Sequence, residues 1–112
     1  MLPSSKRLTA HDVKDIMEKG RVAHSPLFLL RYIPNAGAQT KIAAIVPVKV
    51  VKTAVGRNEL KRKTYEVVRK LYPRIIPGFK IALLAKSPAI TASALSIEAD
   101  LKELLIKVKL LQ

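Results

Sequence analysis

The segment Ala54–Arg74, AVGRNELKRKTYEVVRKLYPR, limits what this chain can fold into more than any other part of it. It carries seven Lys or Arg residues against two Glu residues, yet it keeps a set of apolar positions spaced as on one face of an α-helix. Those positions are Leu60, Thr64, Val67, Val68 and Leu71. The segment predicts a helix that packs one face on a core and presents positive charge on the other.

The net charge of the chain lies in its body rather than in a tail. Of 112 residues, 49% are hydrophobic, which suffices for one domain with a true core. The net charge is +13; residues 37–86 hold twelve basic and two acidic side chains, whereas residues 87–112 hold three of each. Such an excess favours nucleic acid as the partner, with an anionic membrane surface second.

Several classes of site and location are excluded by residue content. Without cysteine there are no disulfides, thiolate metal sites or cysteine nucleophiles. No secretory signal opens the chain. The apolar runs Ile42–Val46 and Ile81–Ala85 are far shorter than the ~20 residues of a membrane helix. We therefore expect a soluble, cytoplasmic protein that does not enter a membrane.

No catalytic or metal-binding constellation stands out. His11 and His24 have no partners at metal-ligand spacing, and exposed histidines explain them better. Asp12, Asp15 and Glu18 recur at i, i+3 and i+6, which is typical of a solvated helix face. The sequence predicts no catalytic residue and no metal site in the protein.

The predicted elements are three helices and three strands. The helices are Ala10–Lys19, Ala54–Leu71 and Ala94–Leu110, with Thr9, Thr53 and Ser93 as their N-caps. The strands are Leu27–Tyr32, Lys41–Val51 and Lys80–Lys86. Pro47, or the turn at Gly37, leaves room for one strand more. This order predicts a single α+β domain over residues 1–112, with helices packed on one sheet.

The predicted partner is a nucleic acid bound through its phosphates. Local acids do not pair the cations of the basic helix, and a polyanion would relieve their mutual repulsion. Lys and Arg would bind phosphates, with an affinity that falls as salt rises. Aromatic residues make up only 4% of the chain, which argues against an aromatic stacking platform.

The run Lys49–Glu66, KVVKTAVGRNELKRKTYE, resembles the hallmark K-K-x-x-x-A-V-x-R-N-x-x-K-R-x-x-R-E of the bacterial ribonuclease P protein subunit. The matching residues are Lys49, Ala54, Val55, Arg57, Asn58, Lys61, Arg62 and Glu66. The resemblance extends to Lys6-Arg7-Leu8, to the first helix ending at Gly20, to PGFKIALLAK at 77–86 and to the last helix.

The chain departs from the family pattern at several positions. Val50 replaces the second lysine, Glu59 a residue that is often basic, Tyr65 an arginine and Lys80 an acid. Val13 and Met17 replace aromatic residues with which the family contacts the 5′ leader of its substrate. These changes affect the expected leader contact more than the expected contact with the RNA subunit.

The resemblance implies both a fold and a role. The fold is a two-layer, ribosomal-protein-like sandwich of a mixed four-stranded sheet and three helices, with a left-handed βαβ crossover, although the general rule would predict a right-handed one. The role is that of the non-catalytic protein subunit of an endoribonuclease. It binds the ribonuclease P RNA and precursor tRNA, and takes no small-molecule substrate. The RNA removes the tRNA 5′ leader with Mg²⁺ ions that it holds itself.

The resemblance also implies site residues. The RNA contacts are Arg57, Asn58, Lys61 and Arg62, supported by Lys49, Lys52, Lys63 and Arg69. A cleft for the leader would involve Val13, Met17, Leu27, Leu29 and Tyr32, side chains that a position in the core explains better.

Two other functions are compatible with the sequence. A ribosomal or ribonucleoprotein-assembly protein could use the same basic helix on another structured RNA. A peripheral membrane module could lay its last helix on lipid, but that helix lacks a face rich in Lys and Arg.

Overall fold

The computed structural model describes residues 6, 8–36 and 38–112. Its elements in chain order are α1 (Ala10–Lys19), β1 (Arg21–His24), β2 (Phe28–Pro34), β3 (Lys41–Ile45), α2 (Ala54–Leu71), β4 (Phe79–Ala85) and α3 (Ala94–Lys107). Short 3₁₀ turns follow α2 and β4, at Tyr72–Arg74 and Ser87–Thr91. Arg7 of the family-like opening and Gly37 of the predicted turn lie outside the described residues.

Side chains that were predicted as caps begin all three helices. Thr9 forms a capping box with Asp12, in which each side chain accepts a hydrogen bond from the other residue's backbone N–H. Thr53 and Ser93 accept in the same way from N–H groups of the first turns of α2 and α3. Gly20 is the C-cap of α1, and glycine fits there because a Cβ would collide with the carbonyl oxygen of Ile16.

The four strands form one mixed sheet in the order β1-β2-β4-β3. β2 pairs antiparallel with β1 and β4, while β3 pairs parallel with β4. The α+β class, the mixed four-stranded sheet and the three helices are thus confirmed. Helix α2 connects the adjacent parallel strands β3 and β4, and the left hand of this crossover stays a prediction from the family resemblance.

The predicted elements differ from the observed ones most at three places, while the bounds of β2 and β4 differ by one or two residues. The fourth strand is β1, which precedes Pro26 and was not predicted at all. Strand β3 stops at Ile45, because the backbone turns at Pro47, whose carbonyl accepts the N–H groups of residues 50 and 51. Helix α3 stops at Lys107 rather than at residue 110, since Lys109 adopts a positive φ of 63°.

Helices cover both faces of the sheet. Alternate residues of β2 and β4, such as Leu30 and Leu83, point into the main core with α2 and α3. The intervening residues face α1, which contacts β2 and β4. Ile16 is the buried residue of α1, and Ala82 is fully buried on this side of the sheet. The sheet therefore separates a large apolar core from a smaller layer beneath α1.

Candidate nucleic-acid interface

The side of α2 turned away from the core carries exposed polar groups. Leu60, Thr64, Val67, Val68 and Leu71 are buried, as the helical spacing predicts. Asn58 and Arg62, four residues apart, are exposed on the opposite side, and Lys61 is half-buried between the two sides. Among the described residues, none of these three side chains makes a hydrogen bond or an ion pair.

Arg57 links the start of α2 to the segment before it. Its Nη1 donates to the carbonyl oxygens of Val51 at 3.0 Å and Lys52 at 2.8 Å. Both bonds use one nitrogen, so donors remain on Nε and Nη2. The guanidinium thus fixes the segment that carries the exposed Lys49 and Lys52, and it still has donors for a phosphate.

Other cations of α2 are bound within the protein. The Lys63 ammonium donates to the carbonyl oxygen of Ala92 at 3.0 Å, which ties α2 to the turn before α3. Arg69 lies 2.9 Å from a carboxylate oxygen of Glu66. Lys70 pairs with Glu98 of α3, also at 2.9 Å. The prediction that local acids leave these cations unpaired is therefore wrong for Arg69, whereas the partner of Lys70 comes from another helix.

These ion pairs lower the pKa of both acids. The hydrogen bond and charge of Arg69 lower the pKa of Glu66. The ammonium of Lys70, helped by Lys102, lowers the pKa of Glu98. All of these side chains are partly or largely exposed, so such pairs add little to stability. Of the eight predicted contacts, Arg57, Lys63 and Arg69 therefore act partly within the protein.

A second feature is an open cavity of about 350 Å³ at the end of the sheet where β2 begins and β4 ends. We call it the sheet-face cavity; its lining residues are Leu29, Pro47, Lys49, Val50, Leu84, Ala85, Lys86 and Ser87. Leu29 and Leu84 are register partners across β2 and β4, and both are half-buried. The Lys86 ammonium donates to the carbonyl oxygen of Ser25 at 2.7 Å. The cavity thus combines an apolar floor with two cationic side chains.

The five residues predicted to line a leader cleft do not lie together. Leu29 lines the sheet-face cavity, and Val13 and Met17 lie on α1, which packs on the same face of the sheet. Leu27 and Tyr32 instead pack against the main core. Tyr32 lies three positions after Leu29 in β2, and alternation along a strand turns the two side chains to opposite faces.

Sequence reasoning missed Leu84, Lys86 and Arg31. Leu84 and Lys86 come together with Leu29 only through the strand register, which the sequence did not predict. Arg31 lies on the Leu29 side of β2, and its Nη1 donates to the carbonyl oxygen of Met17 at 3.1 Å. Arg31 follows Leu29 by two residues in the same strand, and this spacing alone indicates that the two side chains lie on one face of the sheet.

Helix α1 is also held by an ion pair. The Lys80 ammonium lies 2.7 Å from the Asp12 carboxylate, and the two side chains are 22% and 14% exposed. The hydrogen bond from Lys80, together with that from the Thr9 backbone, lowers the pKa of Asp12 to about 2. Lys80, where the family has an acid, thus has an acidic partner on α1.

Two further departures from the family pattern, Tyr65 and Glu59, lie in different environments. Tyr65 is 7% exposed, and its hydroxyl accepts a hydrogen bond of 3.0 Å from the backbone N–H of Ala44 in β3. It therefore serves the protein interior rather than the basic face. Glu59 is exposed and lines a small cavity with Lys63 and Ile90.

The described residues hold no cluster of side chains that could bind a metal ion. Across residues 6, 8–36 and 38–112, no three His, Asp or Glu side chains are grouped so that they could hold an ion. Asp12 and Asp15 of the first helix contact Lys80 and His11, respectively. In the same ranges, no helix has the length and apolar character that crossing a bilayer requires.

Comparisons with known proteins agree on one family. The sequence model of the family described as Ribonuclease P matches residues 2–109. The ribonuclease P protein component of Picosynechococcus sp. PCC 7002 is 33% identical over 107 residues, which cover 95% of this chain and 92% of that protein. That of Roseiflexus sp. RS-1 is 33% identical over 86 residues, covering 77% and 70%.

Solved structures agree on the fold. The RNase P protein of Staphylococcus aureus superposes with a TM-score of 0.83 at 24% identity, over 96% of this chain and 98% of that one. The RNase P protein of Thermotoga maritima gives a TM-score of 0.81 at 23% identity, over 90% and 96%. At these identities the structures support the architecture, and the sequence relatives carry the family assignment.

Proposed function

Since the chain belongs to the ribonuclease P protein family, we propose that it binds the ribonuclease P RNA and precursor tRNA and assists removal of the tRNA 5′ leader. The observation that carries this proposal is the open basic side of α2. Lys61 and Arg62 have no acidic partner among the described residues, in a chain with a net charge of +13. A polyanion is the partner that such a surface fits.

The RNA subunit would contact α2 and the segment before it. Asn58, Lys61 and Arg62 project from the helix, while Arg57 keeps the segment of Lys49 and Lys52 in place. These groups offer several phosphate contacts over one continuous surface. Because Lys63 and Arg69 have partners within the protein, we assign them a weaker share.

The leader of precursor tRNA would lie in the sheet-face cavity. Its floor, Leu29 and Leu84, is apolar and has no ring on which a base could stack. Lys49 at its rim offers a cation to the strand's phosphates and is part of the segment that Arg57 holds. Binding there would rest on phosphates and apolar contact, so we expect weak preference among leader sequences.

The chemistry would remain with the RNA. The described residues do not fit a metal site, so we propose that the Mg²⁺ ions needed for cleavage are held by the RNA subunit. The protein's part is then to bind both RNAs and to neutralise phosphate charge between them. Lower demand for free Mg²⁺ is the expected consequence of added cationic contacts.

The RNA contact is tested with Lys61→Gln/Arg62→Gln against Lys14→Gln/Lys107→Gln, a pair that removes two exposed charges elsewhere. We expect the slope of log affinity for ribonuclease P RNA against log salt to flatten by about 1.5 in the first variant only. Reconstituted cleavage of precursor tRNA at low Mg²⁺ should fall with it. An unchanged affinity, or no stimulation by the wild-type protein, contradicts the proposal.

The leader contact needs a separate measurement. Leu84→Glu places an anion in the sheet-face cavity, whereas Leu95→Glu makes the same change at an exposed position of α3. We expect the preference of the holoenzyme for precursor over mature tRNA to fall at least about tenfold in the first variant, because like charges then meet. If the preference survives Leu84→Glu, the leader does not lie in this cavity.

A further inference from the structure

A larger cavity lies at the opposite end of the sheet. It measures about 520 Å³ and opens where β1 begins, β2 ends and β4 begins, against the end of α3. We call it the aromatic cavity; its lining residues are Lys19, Arg21, Tyr32, Ile33, Pro34, Phe79, Val108, Lys109 and Leu110. This volume is within the range of ~300–1,000 Å³ that is common for ligand pockets. No acid is among the lining residues.

Two aromatic rings meet in the cavity. The rings of Tyr32 and Phe79 lie with centroids 6.0 Å apart and planes inclined at 66°. Both side chains are half-buried, and they pack against the main core on their inner side. Tyr32 and Phe79 are two of the five Tyr and Phe residues of the chain, which has no Trp. They therefore form a supported aromatic surface with a side open to the cavity.

Three exposed cations surround these rings. Arg21 is the register partner of Tyr32 across β1 and β2, so both side chains stand on the same face of the sheet. Lys19 ends α1, and Lys109 follows α3. Among the described residues, none of the three makes an ion pair or a side-chain hydrogen bond. The cavity thus has positive charge without a counterpart in the protein.

Lys109 is held where glycine is usual. Its φ of 63° places it in the left-handed region, at the position after the C-cap of α3. Lys109 N–H bonds the carbonyl of Ile106, and Leu110 N–H that of Leu105, which closes the helix end with backbone groups. The backbone N–H of Ile76 then donates to the carbonyl of Leu110 at 2.8 Å. The lysine therefore stands at the cavity in a fixed and unfavourable backbone conformation.

From these observations we infer that the aromatic cavity binds one unpaired nucleotide, with its base against Tyr32 and Phe79 and its phosphate among Lys19, Arg21 and Lys109. Rings with a free face stack on any base, and adjacent Lys and Arg bind the phosphate beside it. The nucleotide would come from a single-stranded stretch of RNA, because a chain with a net charge of +13 favours a polyanion as its partner. A free nucleoside monophosphate shares the chemistry and is separated from RNA by the test.

This site lies beyond the proposed function and is distant from its surfaces. Leu29 is the second residue of β2 and Pro34 the last, five residues apart, which is roughly 17 Å at the rise of a strand. Tyr32 and Leu29 also point to opposite faces of the sheet. An RNA strand in the aromatic cavity would therefore contact the protein apart from the sheet-face cavity and the outer side of α2.

The test is photo-cross-linking of the full chain to a pentauridylate that contains one 4-thiouridine, with the attached peptides identified by mass spectrometry. We expect cross-links at Tyr32 or Phe79. Their yield should fall about tenfold, the effect of lost charge-assisted contacts, in Arg21→Gln/Lys109→Gly. It should stay in the charge-matched Lys14→Gln/Lys107→Gln. Glycine suits the backbone at position 109, so the first variant does not threaten the fold.

The competition outcomes distinguish a free nucleotide from RNA as the ligand, and the positions and yields of the cross-links test the inference itself. Competition by uridine 5′-monophosphate at the concentration of the oligonucleotide assigns the site to free nucleotides, and competition by oligonucleotide alone assigns it to RNA. Cross-links confined to α2 or to the sheet-face cavity, or equal yields in both double variants, overturn the inference. Stimulation of precursor-tRNA cleavage does not enter this readout, so the proposed function can fail or hold independently.

Discussion

The two faces of the sheet are covered by different interactions. On one face, α2 and α3 bury a continuous apolar cluster that includes Ile97 and Leu101, both 0% exposed. On the other face, α1 buries Ile16 and makes polar contacts with the sheet. These are the ion pair of Asp12 with Lys80 and the bond from Arg31 to the last turn of α1.

Because of this difference, the packing of α2 and α3 does not depend on charge, whereas the attachment of α1 does. Apolar burial is insensitive to pH and is not screened by salt, so α2 and α3 should keep their places under any condition in which the chain is folded. A partly buried ion pair depends on the ionisation of its carboxylate. The helix next to the proposed leader contact is therefore the one whose attachment responds to charge.

The largest expected effect is on the apolar face. Leu101→Ala leaves a cavity in the centre of the main core and should lower the free energy of unfolding by about 3 kcal/mol. Urea denaturation should give the same loss at low and high salt, since no charge is involved. Leu95→Ala, on the same helix but 77% exposed, serves as the control and should change stability by less than about 0.5 kcal/mol. Similar losses of unfolding free energy at both positions would show that burial in the apolar core does not determine the effect.

The second effect tests the ionic face. The folded-state pKa of Asp12 is about 2, below its ordinary value of 3.8. A lowered pKa contributes stability that is complete above about pH 5 and is lost as pH falls through 4 towards 2. For Asp12 this contribution is roughly 2 kcal/mol. We expect Asp12→Asn to be less stable than the wild type by that amount at pH 7, and the gap to close by pH 2.

Urea denaturation at several pH values measures this gap directly. Asp15→Asn is the matched control, because Asp15 lies on the same helix and does not contact Lys80. A gap that stays constant from pH 7 to pH 2 would mean that the amide change alone, and not the ion pair, destabilises Asp12→Asn. A gap of the same size in Asp15→Asn would mean that the ion pair of Asp12 with Lys80 is not the specific attachment of α1.

The smallest effect has the opposite sign. Lys109→Gly relieves the left-handed backbone conformation at the end of α3 and should raise the free energy of unfolding by about 1 kcal/mol. The expected increase in melting temperature is a few degrees. Lys107→Gly, inside the last turn of the helix, should instead destabilise by about the same amount. A loss of stability in Lys109→Gly would show that its side chain has a structural role.

Local signals predicted the helices well. The observed bounds of α1 and α2 match the predicted ones, because Thr9 and Thr53 cap the starts and Gly20 and Pro73 follow the ends. Capping depends on side chains a few residues apart, which sequence patterns contain. The end of α3 was missed because Lys109 takes a conformation that its residue type rarely adopts.

Pairing across the sheet was not predictable in the same way. Strand β1 is four residues long, with Ala23 its one buried member, so its own pattern is weak and the partner β2 determines it. Tyr32 was expected near a leader cleft, with a position in the core as the better explanation, and its side chain packs against the main core. Contacts such as that of Lys80 with Asp12 join residues 68 positions apart, and the spacing of neighbouring residues along the sequence does not predict them.

The hydrogen bond from Ala44 to Tyr65 has a consequence for how copies of this protein behave together. Strand β3 is the last strand on its side of the sheet, and the backbone groups on its outer side could pair with a strand from another molecule. The Tyr65 hydroxyl accepts a hydrogen bond from one of those N–H groups, that of Ala44, near the end of the strand. The residue that departs from the family's arginine therefore helps to prevent growth of the sheet from one molecule to the next.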